Sequence, residues 1–251
     1  MTLRLADVAR EGVLLAGGAR AILLQLANPA VGHGVARHSD FASNPLQRLR
    51  NTLSYVYVVV YGTPDEVARI TRLVDATHGP IRGKDYDALD PGLQLWVAAT
   101  LYDTAAGVYQ RVFGPLSAED AEAIYQDYAI LGTALQVPQD LWPRDLPAFR
   151  EYWAAAVTTL NTDPETRAVA RELLHPKRVP LWLRASMPLV RLVTAGLLTP
   201  AERALFELPW DDRRARRFDR ALRTIAALYP RLPRRLRHWP RNHYLGRFRG
   251  A

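Results

Sequence analysis

The stretch that decides the fold reads PLQRLRNTLSYVYVVVYGTPDEVARITRLVDATH, residues 45–78. Its apolar residues recur with a helical period from Pro45 to Tyr61, and the β-branched run 58–60 continues that pattern instead of alternating as a strand would. Thr63 followed by Pro64 is typical of a helix cap and first helical residue. The stretch therefore predicts two consecutive helices, near 45–61 and 64–78.

The rest of the chain carries the same signals. Proline follows a capping residue at Asp90-Pro91, Asp163-Pro164 and Thr199-Pro200, whereas Asn-Gly and Asp-Gly hairpin turns between alternating strands are missing. Further helices are predicted near 3–15, 19–27, 29–38, 91–113, 118–133, 146–160, 164–174, 183–195, 200–206 and 212–228. There is neither a repeat of fixed period nor a long Gly/Ser linker. We predict an all-α fold, with residues 1–251 forming a single globular multi-helix domain.

Composition narrows the class of protein. The 251 residues are 49% hydrophobic, enough for a sizeable core, and the absence of cysteine excludes disulfides and thiolate metal sites. No apolar run reaches membrane-spanning length. Asp7, Arg10 and Glu11 interrupt any signal-peptide pattern at the N-terminus. We expect a cytoplasmic protein.

The net charge of +8 is concentrated near the C-terminus. Residues 201–251 contain fourteen arginines against five acidic residues, a net charge of +9. About residues 200–251 are thus predicted to form a basic, peripheral C-terminal part. Its arginines are either a solvated helical face or a surface for nucleic acid or an anionic membrane. Pro233 and Pro240 interrupt a long basic helix, which makes nucleic acid the less favoured partner.

One helix face carries the first candidate site residues. Arg48 and Thr52 are four residues apart and share a face of the helix near 45–61. A buried arginine needs an anion, such as a carboxylated cofactor. The alternative is an ordinary salt bridge, for instance to Asp40 or Asp75.

Histidines supply the second set of candidates. His78 ends a helix, where it is either an imidazolium favoured by the helix dipole or a neutral ligand of haem iron. Arg82 follows four residues later and could neutralise a haem propionate. His33 and His38 are five residues apart, a poor spacing for a shared ligand face, so each is either structural or pocket-lining.

Common catalytic motifs are missing. The sequence contains no Gly-x-Gly-x-x-Gly, no Walker loop, no Gly-x-Ser-x-Gly and no His-Glu-x-x-His. The sequence therefore contains no motif that would indicate dinucleotide binding, phosphoryl transfer, a hydrolase nucleophile elbow or zinc proteolysis.

The order of several motifs resembles that of a known family. The motifs are residues 17–29 (GGARAILLQLANP), residues 34–41 (GVARHSDF), Pro45-Leu46-x-Arg48-Leu49-x-x-Thr52, Tyr61-Gly62-Thr63, His78-x-x-Ile81-Arg82-Gly83, Tyr86-x-Ala88-Leu89-Asp90-Pro91, Leu95-Trp96-Val97 and Gly114-Pro115-Leu116-Ser117. Together they resemble the DUF2236 family, which includes the latex-clearing rubber oxygenases and the MpaB-type enzymes that cleave a prenyl chain.

The resemblance implies an all-helical oxidoreductase with haem b between its helices. By their positions in the motifs, His78 matches the proximal iron ligand, Arg48 and Thr52 match the distal pair, and Arg82 matches the arginine of the family's His-x-x-x-Arg element. A haem-dependent oxygenase or oxidase is therefore expected, with dioxygen and a small apolar, for example unsaturated, compound as its partners.

The chain departs from the family pattern at three positions. Asn28 stands where many relatives have histidine, Ala98 replaces another histidine, and Asn51 replaces the lysine of the rubber oxygenases. The chain is also much shorter than a rubber oxygenase, so bulk polymer is not the expected substrate. The alternative is a non-catalytic helical module whose arginine-rich C-terminal region docks on nucleic acid or an anionic membrane.

Overall fold

The computed structural model describes residues 2–38, 45–177 and 179–250, without the side chains of Pro45, Leu46 and Arg48. Its α-helices are α1 Leu5–Ala9, α2 Gly18–Ala27, α3 Pro29–His38, α4 Pro45–Tyr61, α5 Pro64–His78, α6 Pro91–Phe113, α7 Ala118–Tyr128, α8 Ile130–Thr133, α9 Leu146–Thr158, α10 Pro164–Leu174, α11 Leu181–Leu197, α12 Pro200–Leu205, α13 Asp212–Leu228, α14 Arg234–Arg237 and α15 Trp239–Arg249. Two 3₁₀ helices cover Gly12–Gly17 and Tyr229–Arg231. In the described ranges the one β interaction is an isolated bridge between Arg82 and Asp87, and the predicted all-α fold is confirmed.

Helix starts follow the capping signals of the sequence. Thr63 caps α5 by accepting from the Glu66 backbone N–H at 3.3 Å, while Glu66 Oε2 accepts from the Thr63 N–H at 2.9 Å. This reciprocal pair satisfies two N–H groups that the helix itself leaves free. Asp90 and Asp163 cap α6 and α10 through single side-chain acceptors. The proline after each cap occupies a position that needs no N–H donor.

Several parts of the helix prediction were wrong. The helix predicted over 118–133 is divided into α7 and α8, and α14 was not predicted. The helix predicted over 3–15 is divided into α1 and the 3₁₀ helix Gly12–Gly17, because the chain is extended at Glu11. The helix α15 was not predicted at all. Pro240 was taken as an interruption, but it sits in the first turn of α15, where proline is tolerated.

The long helix α6 lies at the centre of the fold. It packs against α2, α13, α8, α1 and the 3₁₀ helix Gly12–Gly17. Tyr102 on α6 meets Tyr125, Tyr128 and Phe149 edge-to-face, with ring centroids 5.1, 5.2 and 4.9 Å apart. Such edge-to-face pairs are favoured by the ring quadrupoles. This aromatic cluster joins α6 to α7 and α9, so that the chain forms one globular domain.

The basic C-terminal part is packed against the earlier helices at several points. The α15 helix crosses α4, where Tyr244 stacks on Tyr57 with ring centroids 6.3 Å apart. Glu11 is 2% exposed and accepts from Arg237 Nε at 2.9 Å. Burial by itself favours the neutral acid, but the hydrogen bond and charge of Arg237 outweigh it and lower the pKa of Glu11. The pair anchors the C-terminal segment to the N-terminal one.

No single helix of the described chain is long and apolar enough to cross a bilayer. The segments Gly12–Ala27 and Pro29–His38 reach the required length and composition only as a pair, and they are bent by 104° at their junction. Most of α2, within the first segment, is buried in the protein core.

Candidate functional site

The helices α4 and α5 form an antiparallel hairpin that carries the predicted site residues. Gly62 and Thr63 connect them, and the two helices are in contact with each other. Counted outward from this turn, His78 at the end of α5 lies level with position 48 near the start of α4. Thr52 lies about 6 Å nearer the turn, at about 1.5 Å per helical residue. The hairpin thus brings positions 48, 52 and 78 to one end of the helix pair.

His78 is the last residue of α5. Its side chain is partly buried, and its Nδ1 atom is shielded from solvent. Beyond it the chain turns tightly, since the Ile81 N–H donates to the His78 carbonyl at 2.8 Å. The backbone of His78 is therefore held at a helix end beside an ordered turn.

The α4 side of the hairpin is described in part. Thr52 is partly buried, whereas Asn51 is exposed and accepts from Gln47 Nε2 at 2.8 Å. The predicted distal role of Arg48 concerns a side chain outside the described residues, as does the alternative ion pair with Asp40 or Asp75. Both remain predictions.

Arg82 lies in the short connection between α5 and α6. The connection is folded back on itself by hydrogen bonds from Gly83 N–H to the Tyr86 carbonyl and from Ala88 N–H to the Ile81 carbonyl. Arg82 Nε is 3.4 Å from Asp87 Oδ2, and the Arg82 side chain is 59% exposed. Arg82 is therefore a surface cation with a carboxylate partner, close in sequence to His78.

A polar network beside His78 was not predicted from the sequence. Asp75 lies one turn before His78 and accepts from Gln136 Nε2 at 2.8 Å, and Gln94 Oε1 accepts from the Gln136 backbone N–H at 2.9 Å. Gln94 also donates to the Ala88 carbonyl at 2.9 Å. These contacts tie the end of α5 to α6 and to the chain after α8. The network joins residues up to 61 positions apart, and no local pattern signals such partners.

Tyr55 of α4 extends this polar region into the core. Its hydroxyl donates to the Leu131 carbonyl at 2.7 Å. Burial raises the pKa of Tyr55, and the charge of Asp75 raises it further. The phenol consequently stays neutral, and its hydroxyl remains a hydrogen-bond donor at physiological pH.

His33 and His38 are both structural histidines with specific partners. His33 Nε2 is 2.7 Å from Asp163 Oδ2, and its Nδ1 contacts Asp85. His38 Nε2 is 2.7 Å from the Tyr86 hydroxyl, and the two rings meet edge-to-face. These contacts hold the connection between α5 and α6 against α3. The sequence left open whether His33 and His38 are structural or line a pocket, and these contacts give both a structural role.

The departures from the family pattern have local structural roles. Asn28 Oδ1 accepts from the backbone N–H groups of Ala30 and Val31 at 3.1 and 3.3 Å, so it caps α3. Ala98 is 3% exposed within the central cluster around α6. Neither position presents the imidazole that the family pattern has there.

A small apolar cavity of about 20 Å³ lies away from the α4–α5 hairpin. Its lining includes Val13, Val112, Val193, Leu197 and Phe218, from the region where α6, α11 and α13 meet. A second, more open depression lies beside Trp142. His78, Thr52 and Arg82 line neither one.

Comparison with known proteins identifies the class. Residues 6–227 match the family described as ER-bound oxygenase mpaB/B'/Rubber oxygenase, catalytic domain. The chain belongs to this family of helical oxygenase catalytic domains, as the sequence motifs indicated.

Two curated relatives share this similarity along most of their length. They are Uncharacterized protein Rv2237 of Mycobacterium tuberculosis and Uncharacterized protein Mb2261 of Mycobacterium bovis. Each is 37% identical over 224 residues, which cover 85% of this chain and 88% of the relative. No solved structure matches the chain.

The described residues fit haem in their donor chemistry. Haem iron takes four nitrogens from the porphyrin, so the protein needs to supply only one or two axial ligands. In the described ranges, no three His, Asp or Glu side chains converge as they would around a bare metal ion. A single imidazole at a helix end, such as that of His78, matches the lower demand of haem.

Proposed function

We propose that this protein is a haem-dependent oxygenase or oxidase that uses dioxygen to act on a small apolar compound. Its membership of an oxygenase catalytic-domain family supports the reaction class. The observation that carries the proposal is the α4–α5 hairpin, which supports a site with His78 on one helix and positions 48 and 52 toward the same end of the other. No other described histidine has this relation to the family's distal positions.

Each residue then has a distinct role. His78 would hold haem b through its imidazole, and haem b, when bound, would supply the chemistry of dioxygen. The Thr52 hydroxyl would donate a hydrogen bond toward the reacting molecule, and the Arg48 cation would stabilise negative charge that builds on it. Arg82 would exchange its contact with Asp87 for a haem propionate, at little cost because exposed ion pairs contribute only about 0–1 kcal/mol.

The chemistry of the substrate follows from the residues around the hairpin. Val56, Val60 and Val67 pack against the central core from α4 and α5, and Leu53 is buried. Apolar surroundings of this kind would favour an apolar compound over a charged one. The family description names a rubber oxygenase, and we propose a smaller unsaturated hydrocarbon as the substrate class here.

The experiment that tests the proposal is an absorption spectrum of protein produced with sufficient haem. We expect a Soret band, one haem b per chain by the pyridine haemochrome method, and loss or shift of the band in His78→Ala. His175→Ala is the matched control, because His175 is an exposed histidine at the end of α10 and should leave the spectrum unchanged. Protein that takes up no haem would overturn the proposal.

The non-catalytic helical module remains the second interpretation. It predicts a colourless protein whose activity is confined to binding through the arginine-rich region. The same spectrum therefore separates the two functions.

A further inference from the structure

Exposed apolar side chains are concentrated in the C-terminal part of the chain. Ten large hydrophobic side chains are exposed in the described residues, and seven of them lie between Leu181 and Trp239. The chain has six tryptophans, and the two that are exposed, Trp182 and Trp239, both belong to this set. Scattered exposed leucines are ordinary, but a concentration of this kind marks an interaction surface.

The seven side chains come from two segments. One is the start of α11, with Leu181, Trp182 and Leu189, of which Leu181 is 79% exposed and Trp182 is 70% exposed. The other is residues 228–239, which follow α13 and expose four apolar side chains. These are Leu228, Leu232, Leu236 and Trp239.

The helix packing brings the two segments to the same end of the fold. A Cβ atom at Gly196 would lie 2.3 Å from Phe218 Cδ2, so this part of α11 contacts the middle of α13. Val193, earlier on α11, lines the same cavity as Ile225, later on α13. The two helices are therefore antiparallel, and the part of α11 near Leu189 lies closest to the end of α13.

Positive charge surrounds these apolar side chains. Arg231, Arg234 and Arg235 are exposed within residues 228–239, and Lys177 and Arg184 flank the start of α11. After Asp219 the sequence contains nine arginines and no acidic residue. Within the described part of the chain, neither Arg234 nor Arg235 forms a salt bridge, so both charges are available to a partner.

We propose that this surface, formed by residues 181–189 and 228–239, docks the protein peripherally on an anionic lipid bilayer. Lipid phosphates would meet the arginines, while the leucines would enter the headgroup–acyl boundary, where tryptophan is also favoured. Two kinds of attraction acting together give stable peripheral binding where either alone is marginal.

The observations favour a bilayer over nucleic acid. Nucleic acid would use the arginines and could stack on the two tryptophans, but it offers nothing to five exposed leucines. The apolar face of α13 is already buried against α6 and α11, so its own exposed arginines add charge near the surface without adding apolar contact. This inference does not depend on haem, so it can fail while the proposed function stands.

The apolar half of the surface is tested by co-sedimentation of the full chain with vesicles. We expect binding to phosphatidylcholine vesicles that contain phosphatidylglycerol, and much weaker binding to pure phosphatidylcholine. The double variant Leu236→Gln, Trp239→Gln should bind about 100-fold more weakly, as expected for removing two inserted side chains at about 1.5 kcal/mol each. Leu73→Gln, Leu141→Gln is the matched control, because these leucines are exposed elsewhere on the molecule.

The charged half is tested by Arg234→Gln, Arg235→Gln in low salt. Each arginine near the lipid surface should contribute about fivefold to the affinity, so removing both charges should weaken binding about 30-fold. High salt should weaken wild-type binding, and Arg144→Gln, at a largely exposed arginine beside Asp145, should change little. Brominated lipids should quench wild-type tryptophan fluorescence.

Three results would overturn the proposal. They are equal binding by wild type and the surface variants, no binding to anionic vesicles, and salt-sensitive binding to duplex DNA without binding to vesicles. Circular dichroism of each variant checks that its fold is retained.

Discussion

His33 is held between two carboxylates, and its charge state therefore affects stability. The hydrogen bond that His33 donates to Asp163, followed by the one that it donates to Asp85, raises the pKa of His33 above its ordinary value of 6.5, although the nearby Arg37 charge opposes the shift. Asp163 also caps α10. The backbone N–H of Thr166, together with His33, lowers the pKa of Asp163 to about 2 from 3.8.

The sign of the pH dependence follows from these directions. A raised histidine pKa stabilises the fold fully below pH 6.5, and this contribution is lost as pH rises through the folded-state value. Because the pKa of Asp163 is lowered, its carboxylate stabilises the fold fully above pH 3.8. This contribution is lost as the pH falls toward about 2. Both contributions are present between about pH 4 and 6.5.

We predict that His33→Gln lowers the free energy of unfolding by roughly 1 kcal/mol at pH 5, a typical value for a partly exposed ion pair. The difference from wild type should shrink in alkaline solution. Urea unfolding of wild type and His33→Gln, from pH 5 to alkaline pH, measures this difference in the free energy of unfolding. His175→Gln is the control. A difference that is constant or grows with pH would contradict the assignment.

His33 could be singled out from the sequence, but its hydrogen-bond partners could not. His33 was recognised as a candidate, but Asp85 and Asp163 lie 52 and 130 positions away, a separation over which local periodicity carries no information. The role of Asn28 as a cap was missed because the motif comparison emphasised the histidine that it replaces. The positions of Thr52 in α4 and of His78 at the end of α5 could be predicted, because helix periodicity and motif order can be read from the sequence.

At the scale of elements, close approach of helices depends on single residues. Gly196 lies in α11, directly against the buried ring of Phe218 on α13, and an added Cβ atom would lie 2.3 Å from that ring. The contact allows the α11–α13 pair to pack closely beside α6. Gly246 in α15 offers a contrast, because a Cβ atom there would have no neighbour within 4 Å.

We predict opposite effects for alanine at these two glycines. Gly196→Ala should destabilise the protein by about 1–3 kcal/mol through overpacking. Gly246→Ala should stabilise it by about 0.5–1 kcal/mol through lower backbone entropy in the unfolded chain. Thermal unfolding of the two variants side by side measures the contrast. Equal shifts of the same sign would refute the close α11–α13 contact.

Most helices were predictable because their capping residues and the helical spacing of their apolar residues lie within the helix's own stretch of sequence. The bounds of α4, α5, α6, α10 and α13 agree with the sequence prediction. The α15 helix was missed because its sequence has little amphipathic periodicity, and its place is set by tertiary contacts such as Tyr244 with Tyr57. Elements that depend on such contacts cannot be derived from local pattern alone.

At the scale of the whole molecule, the chain combines an oxygenase-family fold with an uneven surface. The family match ends at residue 227, whereas the exposed leucines and arginines of residues 228–239 lie beyond it. The buried Glu11–Arg237 pair fixes this C-terminal segment to the fold. A family fold carrying its own basic, apolar surface is consistent with an enzyme that meets apolar compounds at a membrane.

The most direct test of the account is imidazole rescue of His78→Gly, followed by the Soret band. Wild type should bind haem without added imidazole. The variant should lack the wild-type band and regain it when imidazole fills the space left by the side chain, because the iron would again have a nitrogen ligand. A wild-type spectrum in the variant without imidazole would show that His78 does not hold the haem and would contradict the central claim.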